Sequence, residues 1–142
     1  MIPGTLFFYE NFKFHDGATA DKIMVALGSA GATTLVVKTT SKGRRYLNDH
    51  GCQSDHRFQN FHLVQNSCLF LPKPTWIVLN EFYELKQTIL LQKSFSLEVK
   101  RMGILEKSIT IDLLKCAIHS DDISNGQIEI VKTSLNNTIA SD

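Results

Sequence analysis

The chain has 142 residues, 43% hydrophobic and 20% charged, with fifteen Lys/Arg against fourteen Asp/Glu for a net charge of +1. That is one domain's worth of ordinary globular composition; it excludes a disordered chain, a collagen-like repeat and a uniformly basic nucleic-acid magnet. Apolar runs such as Thr75 to Leu79 are too short for a membrane-spanning helix. Leu6 to Phe14 reads as a strand: Phe8, Glu10, Phe12 and Phe14 share one parity, and Phe7, Tyr9, Asn11 and Lys13 the other. His15-Asp16-Gly17 is turn chemistry. Lys22 to Leu27 and the Thr/Val-rich Thr33 to Thr40 are the second and third strands, separated by a Gly28-Ser29-Ala30-Gly31 loop.

The pattern then lapses. Ser41 to Gln59 shows no buried periodicity and reads as one long functional or mobile loop. From Lys38 to Arg57 there are five Lys/Arg against two Asp, so a neutral molecule carries a locally basic segment. Asn60 to Val64 is a fourth strand, Gln65 to Lys73 a connector, and Thr75 to Leu85 a long strand. In a regular strand Phe82 and Tyr83 point to opposite sides, which predicts that one of them is exposed. Thr88 to Leu91 and Phe95 to Met102 are weaker strands.

From Ser108 the period changes to 3.6. Ile109, Ile111, Leu113, Leu114, Ala117 and Ile118 form an apolar face, with Ser108 or Thr110 as cap and Ser120-Asp121-Asp122 as stop. Asn125 to Asp142 is polar, either a short extra element or a loose tail. The expected organisation is a barrel-plus-helix domain over residues 1–123 and a polar extension over 124–142. The fold class is α+β, mainly β: a small SH3-like barrel closed by a C-terminal helix. No helical pattern separates the early strands, which disfavours a parallel α/β fold.

Cys52, Cys68 and Cys116 are odd in number, and the N-terminus carries no export-signal pattern. Both point to the cytoplasm and free thiols, with Cys116 a small core hydrophobe. His50-x-Cys52-x₃-His56, with His62 and Cys68 beyond, is a metal-like grouping without the paired short spacings of zinc sites. Chance composition explains it better, and no metal or other cofactor is assigned.

Gly4-Thr5-Leu6-Phe7-Phe8, then Asp21-Lys22-Ile23-Met24-Val25-Ala26-Leu27, then Leu35 to Thr40-Ser41, resembles the opening of the MazF/PemK-type toxin endoribonucleases. A strand such as Thr75 to Glu81 and a C-terminal helix follow in the same order, so the resemblance covers about Gly4 to Ile118. Where that family has Arg-Pro, this chain has Asp21-Lys22; where it has an Arg and an acid, this chain has Val78 and Asn80, with Glu81 adjacent. The resemblance implies an SH3-like barrel, a homodimer, an antitoxin partner, and hydrolase-type nuclease activity on single-stranded RNA without metal.

Such cleavage needs a base for the ribose 2′-OH, donors for the phosphorane and an acid for the leaving 5′-oxygen. The candidates are His15, Lys22, Thr40 and Ser41. The plain alternatives are a turn histidine, a strand-edge lysine and terminal hydroxyls. Lys42, Arg44, Arg45, Tyr46 and Arg57, with Phe58, mix cations and aromatics as single-strand binding surfaces do, the alternative being a solvated loop. Two rival functions follow: a barrel without catalysis that binds nucleic acid or protein, and a zinc-stabilised binding domain built on the central loop.

Overall fold

The computed structural model describes residues 1–65, 68 and 70–141. Part of the Gln65 to Lys73 connector, and the last residue of the predicted tail, lie outside the described residues. The elements are β1 (Thr5–Lys13), β2 (Thr19–Ala30), β3 (Thr33–Thr40), β4 (Gly51–Gln53), β5 (Asn60–Leu63), β6 (Thr75–Val78), β7 (Tyr83–Lys86), α1 (Gln87–Phe95), β8 (Val99–Ile104), α2 (Lys107–Ile118) and α3 (Asn125–Ala140). All strand pairs are antiparallel, in the order β4-β5-β6-β3-β2-β1-β8, with β7 also on β3. The class is α+β, mainly antiparallel sheet. Among the described residues the end strands β4 and β8 do not pair, so the sheet is not closed into a barrel.

β1 owes its shape to one bulge. The pairing with β2 slips between Tyr9 and Phe12, where Asn11 adopts φ 53° and its N–H donates to Asp21 Oδ1 at 2.9 Å. The extra residue reverses the alternation predicted from sequence. Phe12 therefore joins Tyr9 instead of Phe8, and their rings meet edge to face at 5.0 Å.

The sheet is buried on both faces. One core gathers Leu6, Val25, Leu27, Leu35 and Val37 against Leu113, Leu114 and Ala117 of α2 and Val131 of α3. The other gathers Phe7, Tyr9, Phe12, Met24, Val36, Tyr83, Val99 and Leu90 of α1. This corrects the expectation for Phe82 and Tyr83. They do point opposite ways, but each enters a core, and they are only 6% and 5% exposed.

The long strand expected over Thr75 to Leu85 is two strands on the same edge of β3: β6 pairs with Thr39 and Thr40, and β7 with Thr33 to Val36. Between them Leu79 and Phe82 turn into the first core. The strand expected at Thr88 to Leu91 is the helix α1. Its β-branched start is followed by Leu91, Gln92 and Lys93, which favour helix, and only Leu90 is buried. Neither predicted cap of α2 is used: Glu106 is the N-cap, without a side-chain bond. Thr110 instead donates from inside the helix to Glu106 O at 3.0 Å and packs on Gly4.

The segment read as an extension is the 16-residue helix α3, opened by a capping box in which Ser124 and Gln127 exchange backbone bonds. It docks where β2 slips register at Gly28. A Cβ there would collide with Ser134 Oγ. Gly28→Ala should therefore cost about 1–3 kcal/mol, as overpacking does. Adding Ser134→Ala, which removes the closest of the colliding atoms, should recover part of that loss in denaturant melts; additive losses would show that the two residues do not meet.

Candidate nucleic-acid interface

At the open end of the β2–β3 ladder, Met24 lies opposite Lys38, and the same register carried two pairs further sets Lys22 against Thr40. Here Asp21, Lys22, Thr40, Ser41 and Lys42 open onto one cleft of about 310 Å3, floored by Phe8 and Thr75. Thr39 Oγ1 donates to Ile23 O at 2.8 Å, tying the two strands together. Thr40 Oγ1 accepts from Lys42 N–H at 3.1 Å, which turns the chain out of β3 and leaves the hydroxyl proton to donate elsewhere. Lys22 Nζ reaches Thr39 O only at 3.5 Å. Burial, and then the charges of Lys38 and Lys42, hold its pKa below the usual lysine value. Lys22 and Lys42, two cations opening onto the same cleft, make a site that an anion would relieve.

Of the predicted catalytic set, Lys22, Thr40 and Ser41 share this cleft and His15 does not line it. His15 Nε2 bonds Phe82 O at 3.0 Å, and the ring stacks on Tyr83 at 4.2 Å. A carbonyl partner requires the proton on Nε2. Tyr83 O–H donates to Glu81 Oε2 at 2.5 Å, and Glu81 pairs with Lys38 at 3.3 Å. Burial first, then the bond to Glu81, pushes the Tyr83 hydroxyl pKa well up. Lys38, Glu81 and Tyr83 were missed as candidates. Lys38 had a signal, since it shares parity with Thr40 on β3. Glu81 and Tyr83 come near Lys38 only because the chain breaks between β6 and β7.

The segment Ser41 to Gln59 is not the structureless loop expected. It contains β4, and the Gln53 amide gathers it, donating to Leu47 O and Asp49 O at 3.0 Å each. Trp76 anchors it from the sheet. Its Nε1–H donates to Leu47 O at 2.9 Å, His62 stacks on it at 4.2 Å, and Tyr46 stacks on it at 6.0 Å. Gly43 lies so close to the indole that a side chain would not fit. Phe58 meets Tyr46 edge-on at 6.3 Å. Over Phe58 lie the guanidinium groups of Arg45 at 5.0 Å and Arg57 at 5.3 Å. The loop thus sits on a ladder of rings, with Lys42, Arg44, Arg45 and Arg57 exposed along it.

Free thiols were expected, but Cys52 and Cys116 form a disulfide, leaving Cys68 free among the described residues. Cys116 is nonetheless in the core, at 2% exposure. The sequence could not pair two cysteines 64 residues apart. The disulfide also takes the thiol out of the His50-Cys52-His56 grouping. His56 Nδ1 is occupied by Phe58 N–H at 3.0 Å, and His62 is buried against Trp76 with Nδ1 on Thr75 O at 3.0 Å. Among the described residues no three His, Cys, Asp or Glu side chains stand together as a ligand set, and no described helix is long and apolar enough to cross a membrane. No family model and no curated protein matches the sequence.

Proposed function

We propose that this chain is a MazF/PemK-type endoribonuclease that binds single-stranded RNA and cuts it without metal. The observation that carries the reading is the cleft in which Lys22, Thr40, Ser41 and Lys42 converge beside a basic, aromatic-backed loop. The architecture is compatible with it: the sheet is mainly antiparallel, and β3 pairs with β7 at one end and β6 at the other. On this reading the scissile phosphate sits among Lys22, Lys42 and the hydroxyls of Thr40 and Ser41. The ribose 2′-oxygen attacks phosphorus as Asp21 takes its proton. The bond from phosphorus to the 5′-oxygen breaks, and the Lys22 ammonium protonates that oxygen. The products are a 2′,3′-cyclic phosphate and a free 5′-hydroxyl. Lys22 does the work of the family's arginine as a point charge, without its two-pronged fork. The same reading places the protein in the cytoplasm as a homodimer held by an antitoxin.

A second reading has a specific observation behind it. The imidazole best suited to acid–base work, His15, is committed to Phe82 O outside the cleft. A barrel-like module that binds RNA or protein without cutting it fits that arrangement. Cleavage of single-stranded RNA in EDTA separates the two: a 2′,3′-cyclic end supports the enzyme, and tight binding without any cut supports the module.

Wherever either reading has the protein bind RNA, the loop is the proposed surface. Changing Arg44 and Arg45 together to Ala should weaken RNA binding and flatten its dependence on salt by about 1.4 in the log–log slope. Unchanged affinity and slope in fluorescence titrations would move the binding surface elsewhere.

A further inference from the structure

A second cleft, of about 400 Å3, lies on the other side of β4 and is lined by His50, Cys52, Asp112, Lys115, Cys116 and His119 around the disulfide, with Phe61 behind. A histidine stands near each end of the disulfide. His50 lies in the bend just before β4, separated from Cys52 by Gly51 with φ 100°, and both line the cleft. Cys116 and His119 are three apart at the end of α2, so they share a face. Neither imidazole has a hydrogen-bond partner among the described residues; His50 meets the edge of Phe61 at 6.0 Å. Cys52 is exposed on a three-residue edge strand, so the disulfide is open to attack from solvent.

We propose that reduction of the Cys52–Cys116 disulfide converts this cleft into a zinc site whose ligands are Cys52, Cys116, His50 and His119. A dithiol supplies two electrons and two protons, leaves as its own disulfide, and yields two thiols. Binding of Zn2+ then releases both thiol protons, so two thiolates and two neutral imidazoles surround the ion. A tetrahedral site with Zn–S of about 2.3 Å separates the sulfurs by about 3.8 Å. Edge strand β4 can give that much, because its outer side pairs with no other strand among the described residues. Asp112, four residues before Cys116 on α2, is placed in the cleft to receive the second N–H of a ligating imidazole. This set shares only His50 and Cys52 with the grouping visible in sequence; His56 is excluded by its bond to Phe58.

Either linkage, disulfide or metal, holds the end of the RNA-facing loop to α2, but the site does not depend on RNA activity. The test uses the full chain, reduced with a phosphine, then freed of reductant and metal without air. Titration with Zn2+ should fill one site per chain, and Co2+ should give the absorption of a tetrahedral thiolate complex. The oxidised protein should give neither. His50→Ala and His119→Ala should each weaken binding on the order of a hundredfold, at least as much as loss of an outer-sphere partner. His56→Ala should leave binding unchanged, and thermal melts confirm that each variant is folded. The proposal is overturned if the reduced protein binds no more Zn2+ than a Cys52→Ser, Cys116→Ala variant. It is equally overturned if His56→Ala abolishes binding while His119→Ala does not.

Discussion

Lys22→Ala should cut single-stranded RNA in EDTA at no more than about one hundredth of the wild-type rate, the usual penalty for removing a donor aimed at developing charge. Lys22 is the candidate because it is half-buried, faces the cleft and makes only a 3.5 Å contact with a carbonyl, so its proton is not committed elsewhere. Burial and the neighbouring charges of Lys38 and Lys42 lower its pKa, which makes the ammonium a stronger acid toward a leaving oxygen. The sign of a further effect follows. Activity should fall as pH rises through the Lys22 pKa, because the acid is then deprotonated. Removing a neighbouring cation, as in Lys42→Ala, should move that alkaline limb to higher pH, since one repulsion that favours the neutral amine is gone. Thr40→Ala should lower the rate without moving the limb, because a hydroxyl donor carries no charge. Full activity in Lys22→Ala would refute this site while sparing the enzyme. No cleavage by the wild type, with RNA still bound, would leave the non-catalytic module standing.

Elements marked by one local pattern were legible in the sequence. β1 to β3, the fourth strand and α2 showed themselves through aromatic and β-branched runs or through the 3.6 period. The capping box at Ser124 to Gln127 went unread, because polarity along the segment hid a helix that buries Val131 completely. What escaped notice depended on tertiary placement. The Asn11 bulge reverses the β1 alternation because Asp21, ten residues away, holds Asn11 N–H. Phe82 and Tyr83 are both buried because helices cover both faces of the sheet, which no single strand can report. The candidate site divides in the same way. Lys22, Thr40 and Ser41 meet because consecutive antiparallel strands bring their ends together, a consequence of order alone. His15 parts from them because it stacks on Tyr83, from a strand 68 residues further on. The basic loop was legible in its charge but not in its support. Trp76, only 5% exposed, is the floor on which Tyr46 and the loop backbone rest.

Breaking the Cys52–Cys116 link should destabilise the metal-free protein by about 4 kcal/mol, on the loop-entropy estimate for cysteines 64 residues apart. The bridge joins β4 to α2, two elements otherwise brought together only by the folded chain between them. Removing it frees the unfolded chain to expand, and the native state gains nothing in return. For a chain of this length the loss corresponds to a fall in Tm of roughly 10–15 °C. The denaturant dependence should also steepen, because the unlinked chain exposes more surface on unfolding. Comparing oxidised and reduced wild type avoids any packing defect left by substitution at Cys116, which is buried. The Cys52→Ser, Cys116→Ala variant then checks that reduction acted on this bridge and not through Cys68. Equal midpoints for all three forms would mean that the β4–α2 link contributes nothing to stability. If Zn2+ raises the midpoint of the reduced form alone, the same two sulfurs serve two cross-links. One constrains the unfolded chain covalently; the other stabilises the fold in proportion to free metal.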